Sequence, residues 1–552
     1  MKAIYIRDIP RDVEDVKSRD PGLRITGSSV YCWDVFTALF KFSTYDRFLL
    51  HRPTARMKDL FLAETIYAEN RNRISFLSPN ELSAFNNFDN TVIFQNKADL
   101  HAGARWRRIS GRADVPVTGV VHSLNYRYHL TNAARLLTAS LQPYDAIICS
   151  SRCGREVLLK YLELMKQRMS PLPGLESSFL TPVIPLGVYT DNFRAERSRD
   201  LRASLQLDGD AVFLYLGRLS SRSKADLKPL LIAFAQALSI RENAWLLLAG
   251  DDPTFFQTEY LRQTAERLGC ASRVRIITNP SKQTKLDLFK TADVFVALSD
   301  NLQETFGISL IEAMAAGLPV VAADWNGFRD IVEPDETGYL VETMMPLFPP
   351  GFEVHRESSE SADLLAATTS VDISALSNII VKLAEDKQKR TEMGLAARKR
   401  ARETYDWKVI IQRYEELWAE LHDRARANKA ADLTPSLDFD DYDYRSLFSN
   451  YPTINITPTT PFVLTEFGRL CVDDPQLLEA YCAAGSITLG STVFFTLDRV
   501  SALLQDLTKI QRVTANELTK QEQDSDEVLA MGLICRMAKF GLVKPDTGNS
   551  ES

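Results

Sequence analysis

Twice along this chain, short apolar runs alternate with amphipathic segments long enough to form helices. The first series of runs is Ala3 to Ile6, Phe48 to Leu50, Ile74 to Leu77, Thr91 to Phe94, Val117 to His122 and Ala146 to Cys149. Val30 to Phe42, His129 to Leu141 and Arg152 to Gln167 are the helical segments of that half. The second series is Val212 to Leu216, Trp245 to Ala249, Val274 to Ile277, Val294 to Leu298, Val320 to Ala323 and Tyr339 to Val341. Short continuous apolar runs bounded by polar turns read as strands buried on both faces. A helix between two strands carries the chain back to its starting edge, so the strands pair parallel. The alternation predicts two Rossmann-like α/β domains with parallel sheets. The turn at Pro185-Leu186-Gly187-Val188 closes the first.

Bulk composition narrows the partners. At 552 residues the chain has room for three or four domains, taking roughly 150 residues for each. Its net charge of −7 leaves no global basic field to hold nucleic acid or an anionic membrane, so any anion site must be local. The seven cysteines are scattered, and Cys149 and Cys153 lack a second pair at zinc spacing. Free thiols in a reducing compartment are expected. The N-terminus carries charges where a signal peptide needs an apolar core, and no apolar run nears the ~20 residues of a membrane span. A cytoplasmic protein is expected.

One stretch, Asn301 to Val321, concentrates chemistry. The strand before it runs into a polar loop holding Glu304, Phe306 and Gly307. An Ala-rich helix then begins near Ile308, carries Glu312, and is stopped by Gly317 and Pro319. A loop at the carboxyl end of a parallel strand that feeds a helix N-terminus is where open α/β sheets hold anions. The free amides of Phe306 to Ile308 are donors for a phosphate or a sugar oxygen, and the two glutamates are acceptors for hydroxyls. A nucleotide sugar presents both kinds of group.

Glu304 and Glu312, with Phe-Gly between them and Glu-Ala-Met-Ala-Ala-Gly-Leu-Pro-Val after, resemble the E-x7-E motif of retaining glycosyltransferases with the GT-B fold, most closely family 4. The resemblance covers most of residues 115 to 423. It implies two Rossmann-like domains, a C-terminal helix that crosses back to the first domain, and a nucleotide-diphosphate sugar bound mainly by the second. Leu216-Gly217-Arg218-Leu219 with Ser223-Lys224-Ala225 is similar to the family's Gly-Arg…Lys signature, with Ala225 where relatives have Gly. By resemblance Arg218 and Lys224 bind the diphosphate, Glu312 the ribose, and the amides of Phe306, Gly307 and Ile308 the sugar. Glu304 orders the reacting face. The resemblance implies neither metal nor cofactor. Arg329-Asp330 departs from the family's usual Glu before Ile-Val.

In the first half, Gly27-Ser28-Ser29 reads either as a small-residue loop approaching a phosphate, with Gly27 counted among the donor-binding residues, or as a plain turn capping the next helix. His122 ends a strand, and a family His at the matching place lies beside the transferred sugar. His101 to Arg108 reads either as a basic loop that grips an acidic acceptor or a lipid headgroup or, as more often, as a solvated one, and 346 to 369 as an exposed irregular insertion.

The expected division is residues 1–195 for the acceptor-side domain, 196–400 for the donor domain and 401–423 for the crossover helix. An acidic linker (424–461) and a small, mainly helical, winged-helix-like module (462–552) follow. Few basic residues on that module's second helix argue against DNA reading; it serves either docking or packing. A glycan, a lipid-linked glycan and a polypeptide all remain open as acceptor, and membrane attachment has little support. Two further readings also stand: a GT-B scaffold without turnover, working through its C-terminal module, and a nucleotide-sugar epimerase.

Overall fold

The computed structural model describes residues 1–6, 27–51, 65–77, 81, 85–170, 175, 178–193, 199–207, 209–221, 224–347, 358–428, 455–482, 487–489, 492–521 and 527–546. The chain divides into two compact units, Met1–Asp438 and Phe439–Ser552.

The first unit contains two six-stranded sheets. One has strands β1 (Lys2–Ile6), β2 (Arg47–His51), β3 (Ile74–Leu77), β4 (Asn90–Gln95), β5 (Val117–Val120) and β6 (Ala146–Ile148), in the order β3-β2-β1-β4-β5-β6. The other has β7 (Ala211–Leu216), β8 (Ala244–Gly250), β9 (Val274–Thr278), β10 (Val294–Ala297), β11 (Val320–Ala323) and β12 (Gly338–Val341), in the order β12-β11-β10-β7-β8-β9. Every pairing in both is parallel. All twelve strands lie where the apolar runs place them; most runs are buried from both sides, and the edge strands β3 and β9 are largely half-buried. β7 and β8, for example, have no residue above the burial of a core position. In each sheet the first and fourth strands are neighbours, and the chain winds outward from them in both directions. That switch point leaves a crevice beyond the carboxyl ends of β7 and β10.

Seven helices position the site: α1 (Gly27–Phe42), α2 (Leu100–Ser110), α3 (Tyr128–Thr138), α4 (Arg152–Met169), α5 (Lys282–Thr291), α6 (Ile308–Ala315) and α7 (Trp407–Ala427). A single π-helical turn, Ala401–Tyr405, leads into α7. Asp406 caps it by accepting from the Lys408 amide at 2.9 Å. α7 then lies on the first sheet and α1. The Tyr414 and Tyr31 hydroxyls meet at 2.8 Å, Trp418 Nε1 donates to Thr118 Oγ1 at 3.2 Å, and Glu415 accepts from the Ser43 hydroxyl at 2.6 Å. Ile410, Tyr414, Leu417 and Leu421 are buried and Val409 is half-buried, so the apolar stripe is core.

Three expectations are corrected. His101 to Arg108 is no solvated loop: it lies within α2, and Arg107 is wholly buried against Asp145 at 2.6 Å. Part of the 346–369 segment is regular, since Ser358–Thr368 is a helix; residues 348–357 fall outside the described set. Gly27-Ser28-Ser29 does not precede the first helix but forms its first turn.

The second unit has its own core, including Phe462, Val500, Leu504, Val513, Ile534, Met537 and Leu542. Strand Phe462–Leu464 is the middle of an antiparallel sheet, between Arg512–Val513 and Val543–Pro545. Helix Leu497–Ile510 precedes strand Arg512–Val513, and helices Ala515–Gln521 and Glu527–Lys539 both lie between that strand and Val543–Pro545. Glu527–Lys539 buries Ala530, Leu533, Ile534 and Met537 and lies against strand Thr492–Phe495. Among the described residues, no helix of the chain is long and apolar enough to cross a membrane.

Candidate active site

The crevice of the second sheet faces the first domain across a cleft of about 450 Å³. Its floor is made where β7 and β8 end side by side. A Cβ on Gly250 would overlap the carbonyl of Gly217, so a glycine is required for the two strand ends to approach. Beyond Gly217, the Arg218 carbonyl accepts from the Tyr215 hydroxyl at 3.1 Å, which fixes the bend that turns Arg218 into the cleft. The following loop is tied to the end of β10: Ser299 Oγ donates to the Lys224 carbonyl at 3.3 Å, and the Asp226 amide to Asp300 Oδ2 at 3.0 Å. Ala225 is buried.

These ties bring Lys224 Nζ to 2.5 Å from Glu304 Oε2. Burial works to raise the Glu304 pKa, but Lys224, the Phe306 amide at 3.4 Å and Arg218 outweigh it and hold the carboxyl below its ordinary range. Glu304 is therefore a charged acceptor at neutral pH. Gly307 follows at φ 125° and caps α6, a conformation in which an L side chain is strained. A Cβ there would also meet the Phe328 ring at 2.6 Å. The first amides of α6 have no intrahelical partner, and they open on the cleft with the positive end of the helix.

Glu312 sits one turn further along α6, and its carboxylate has no hydrogen bond or ion pair among the described residues. Burial, with Asp34 of α1 facing it, pushes its carboxyl up to about 7, although Lys285 and Lys224 pull the other way. A half-buried carboxylate without a partner is costly unless a ligand supplies donors.

From the first domain, Tyr31, Trp33, Asp34, Val121, His122 and Ser123 close the cleft. His122 Nε2 lies 2.6 Å from the Asn96 carbonyl, which can only accept, so Nε2 carries the proton and Nδ1 is left as an acceptor. Burial lowers the His122 pKa against that bond, so the ring is neutral at pH 7. Tyr31 packs edge-on against it, with centroids 5.3 Å apart.

The cleft thus gathers Arg218, Lys224, Glu304, Phe306, Gly307, Ile308, Glu312 and His122. For Gly27 to Ser29 only the helical backbone is described, and the lining begins at Val30. Sequence reasoning missed Lys282, Lys285 and Asp34, which also line it. The lysines had a usable signal: they follow Asn279-Pro280-Ser281, a turn at the carboxyl end of β9, with Ser281 capping α5. Asp34 had none, lying mid-helix in an apolar segment.

Residues 197–345 match the family described as glycosyl transferases group 1. A D-inositol 3-phosphate glycosyltransferase of Segniliparus rotundus is 32% identical over 187 residues, 34% of this chain and 39% of that protein. A phosphatidyl-myo-inositol mannosyltransferase of Mycobacterium tuberculosis is 32% identical over 227 residues, 41% of this chain and 50% of that one. The chain spans about half the length of the curated relatives it matches. Among solved structures, HepE of Anabaena in complex with UDP superposes with a TM-score of 0.51 at 20% identity, covering 76% of this chain and all of that one. A glycosyltransferase from Rickettsia africae gives 0.50 at 12% identity, covering 76% and 98%. Two parallel six-stranded domains arranged in this way are the GT-B fold.

Proposed function

We propose that the protein transfers a sugar from a nucleotide-diphosphate sugar to an acceptor hydroxyl, with retention of anomeric configuration and without a metal or other cofactor. The observation that carries this reading is the contact of Lys224 with Glu304 at the open N-terminus of α6. It puts a cation for a leaving diphosphate, a charged acceptor for sugar hydroxyls and the unpaired first amides of α6 together where two loops meet. An ammonium has three donors, so Lys224 can keep Glu304 and still bind a phosphate oxygen. Arg218 adds a second cation on the same side.

In the proposed reaction the bond from the anomeric carbon to the diphosphate oxygen breaks, and charge grows on that oxygen. Cations and amides fixed there beforehand lower the barrier. The acceptor oxygen attacks from the face the diphosphate leaves, and the leaving phosphate takes the acceptor's proton. His122 Nδ1 lies at the wall where it can accept from a sugar or acceptor hydroxyl.

A panel of uridine, guanosine and adenosine diphosphate sugars, scored by thermal shift, tests the donor. Ligand at 100 times its Kd stabilises by about 2.7 kcal/mol, enough to separate a binder from the rest. Transfer of labelled sugar to glycans, lipid-linked glycans or polypeptides then identifies the acceptor. A panel with no binder rejects the reading, and a free epimer formed without acceptor replaces it with epimerisation.

Glu312 makes donor binding pH-dependent. Its folded pKa of about 7 lies above the ordinary carboxyl value, so in that interval the native state keeps a proton the unfolded chain has lost. The stability this group contributes is present at low pH and is lost as pH rises toward 7. A ribose diol bound to the carboxylate reverses the preference and expels the proton. Nucleoside diphosphate affinity is therefore expected to rise up to about tenfold per pH unit below 7 and then level off. Titration calorimetry in buffers of different ionisation heat reads the released proton. In Glu312→Gln the proton release disappears. Asp300, which burial also pushes to about 7, is unchanged in that variant and drops out of the difference.

A further inference from the structure

Ser151 belongs to the first domain, yet its hydroxyl reaches the reactive loop of the second. It stands at the carboxyl end of β6 as the N-cap of α4, accepting from the Gly154 amide at 3.1 Å, and it is 0% exposed. Its single proton points to the Thr305 carbonyl of the second domain at 2.7 Å, with Asn326 Oδ1 a longer alternative at 3.5 Å. Asn326 in turn donates Nδ2 to the Glu304 carbonyl at 2.7 Å and sits at φ 43°, a strained position for a residue with a side chain. Two successive carbonyls of the Glu304–Gly307 loop are thus each held by a side chain, one from each domain.

The next residue makes the grip two-pointed. The Arg152 amide donates to Asp330 Oδ2 at 2.7 Å and its guanidinium to Oδ1 at 2.6 Å. The Asp330 carbonyl is held from behind by Arg400 and the Tyr405 hydroxyl, each at 3.0 Å. Asp330 is half of the Arg329-Asp330 departure from the family pattern, and here it receives the first turn of α4. Capping a helix needs only an acceptor. A donor aimed from one domain at a carbonyl of the other has a second use.

We propose that Ser151 is a positioning residue that couples closure of the two domains to the shape of the loop carrying Glu304. With the domains together, its hydroxyl fixes the Thr305 carbonyl and sets Glu304 against Lys224. With them apart, that hydrogen bond is lost while the nucleotide site on the second domain stays whole. What the loop does once set rests on the proposed transferase reading; the coupling itself does not.

The test uses the full chain with Ser151→Gly and Ser151→Thr. Glycine is an accepted N-cap without a hydroxyl, and threonine keeps both the cap and the donor. Hydrogen exchange is followed in peptides covering residues 301–312 and 152–158, beside UDP affinity and kcat with the donor the panel identifies. Ser151→Gly is expected to exchange about tenfold faster in the 301–312 peptide, the worth of one hydrogen bond, and to lose about tenfold in kcat. Exchange at 152–158 and UDP affinity stay within about threefold, and Ser151→Thr stays near wild type. Unchanged exchange at 301–312, equal loosening of both peptides, or the same loosening in both variants overturns the proposal. If wild type turns over no nucleotide sugar, the transferase reading fails alone, and exchange still decides the coupling.

Discussion

Glu304→Gln is expected to lower kcat by about 10²- to 10³-fold, with Kd for the nucleoside diphosphate changed by less than about fivefold. Glutamine keeps the shape of the side chain and can still accept from the Phe306 amide, as Glu304 does now. What it lacks is charge. Lys224 would lose the ion partner 2.5 Å away and turn toward the diphosphate or solvent, and sugar hydroxyls would meet a neutral amide. In the proposed reading, groups that act on the reacting sugar are felt in kcat, whereas other residues of the same cleft would bind the nucleotide. Stability should move little, since Lys224 remains 25% exposed and can be hydrated. Steady-state kinetics with a labelled donor and calorimetry with its diphosphate product separate the two effects. Turnover within threefold of wild type would remove Glu304 from the reaction, whereas no turnover in wild type would favour a scaffold with a vestigial cleft.

The second large effect is on folding. Asp145→Ala is expected to destabilise the first unit by about 3–5 kcal/mol, because it strands the Arg107 guanidinium in a site with no exposure on either partner. Asp145 holds three donors: Arg107 at 2.6 Å, the Val117 amide at 2.8 Å and the Gln142 amide at 2.8 Å. It thereby pins the start of β5 to the turn before β6. Arg107 also donates to the Ser140 carbonyl at 2.7 Å. Arg107→Met with Asp145→Leu should recover part of the loss by removing both charges, and not all of it, because two backbone amides stay unsatisfied. Urea unfolding followed by tryptophan fluorescence measures both. A loss below about 1 kcal/mol in the single variant would show that water reaches the pair.

That pair also shows where sequence reading stops. The strands were legible because burial on both faces writes itself into consecutive residues, as in Ala244–Gly250. Glu304 through Glu312 was legible because loop, glycine and helix start are contiguous. Arg107 looked like surface charge because the carboxylate that neutralises it lies 38 residues away, and composition carries no trace of such a partner. Ser151 drew no reading for the same reason: the carbonyl it meets is 154 residues distant. Phe462–Leu464 gave no strand signal, since three residues are too few to show a period, and only the two strands it joins define it. Local chemistry was readable, and pairing across the chain was not.

The crossover helix has a consequence for the order in which the molecule can be made. Thr118 meets Trp418, a residue 300 positions later, and Tyr31 waits longer still for Tyr414. As the chain leaves the ribosome, the part of the first sheet and of α1 that α7 covers stays bare until the second lobe has been synthesised. The lobe that begins first is completed last, and an apolar surface must be kept from other chains throughout that interval.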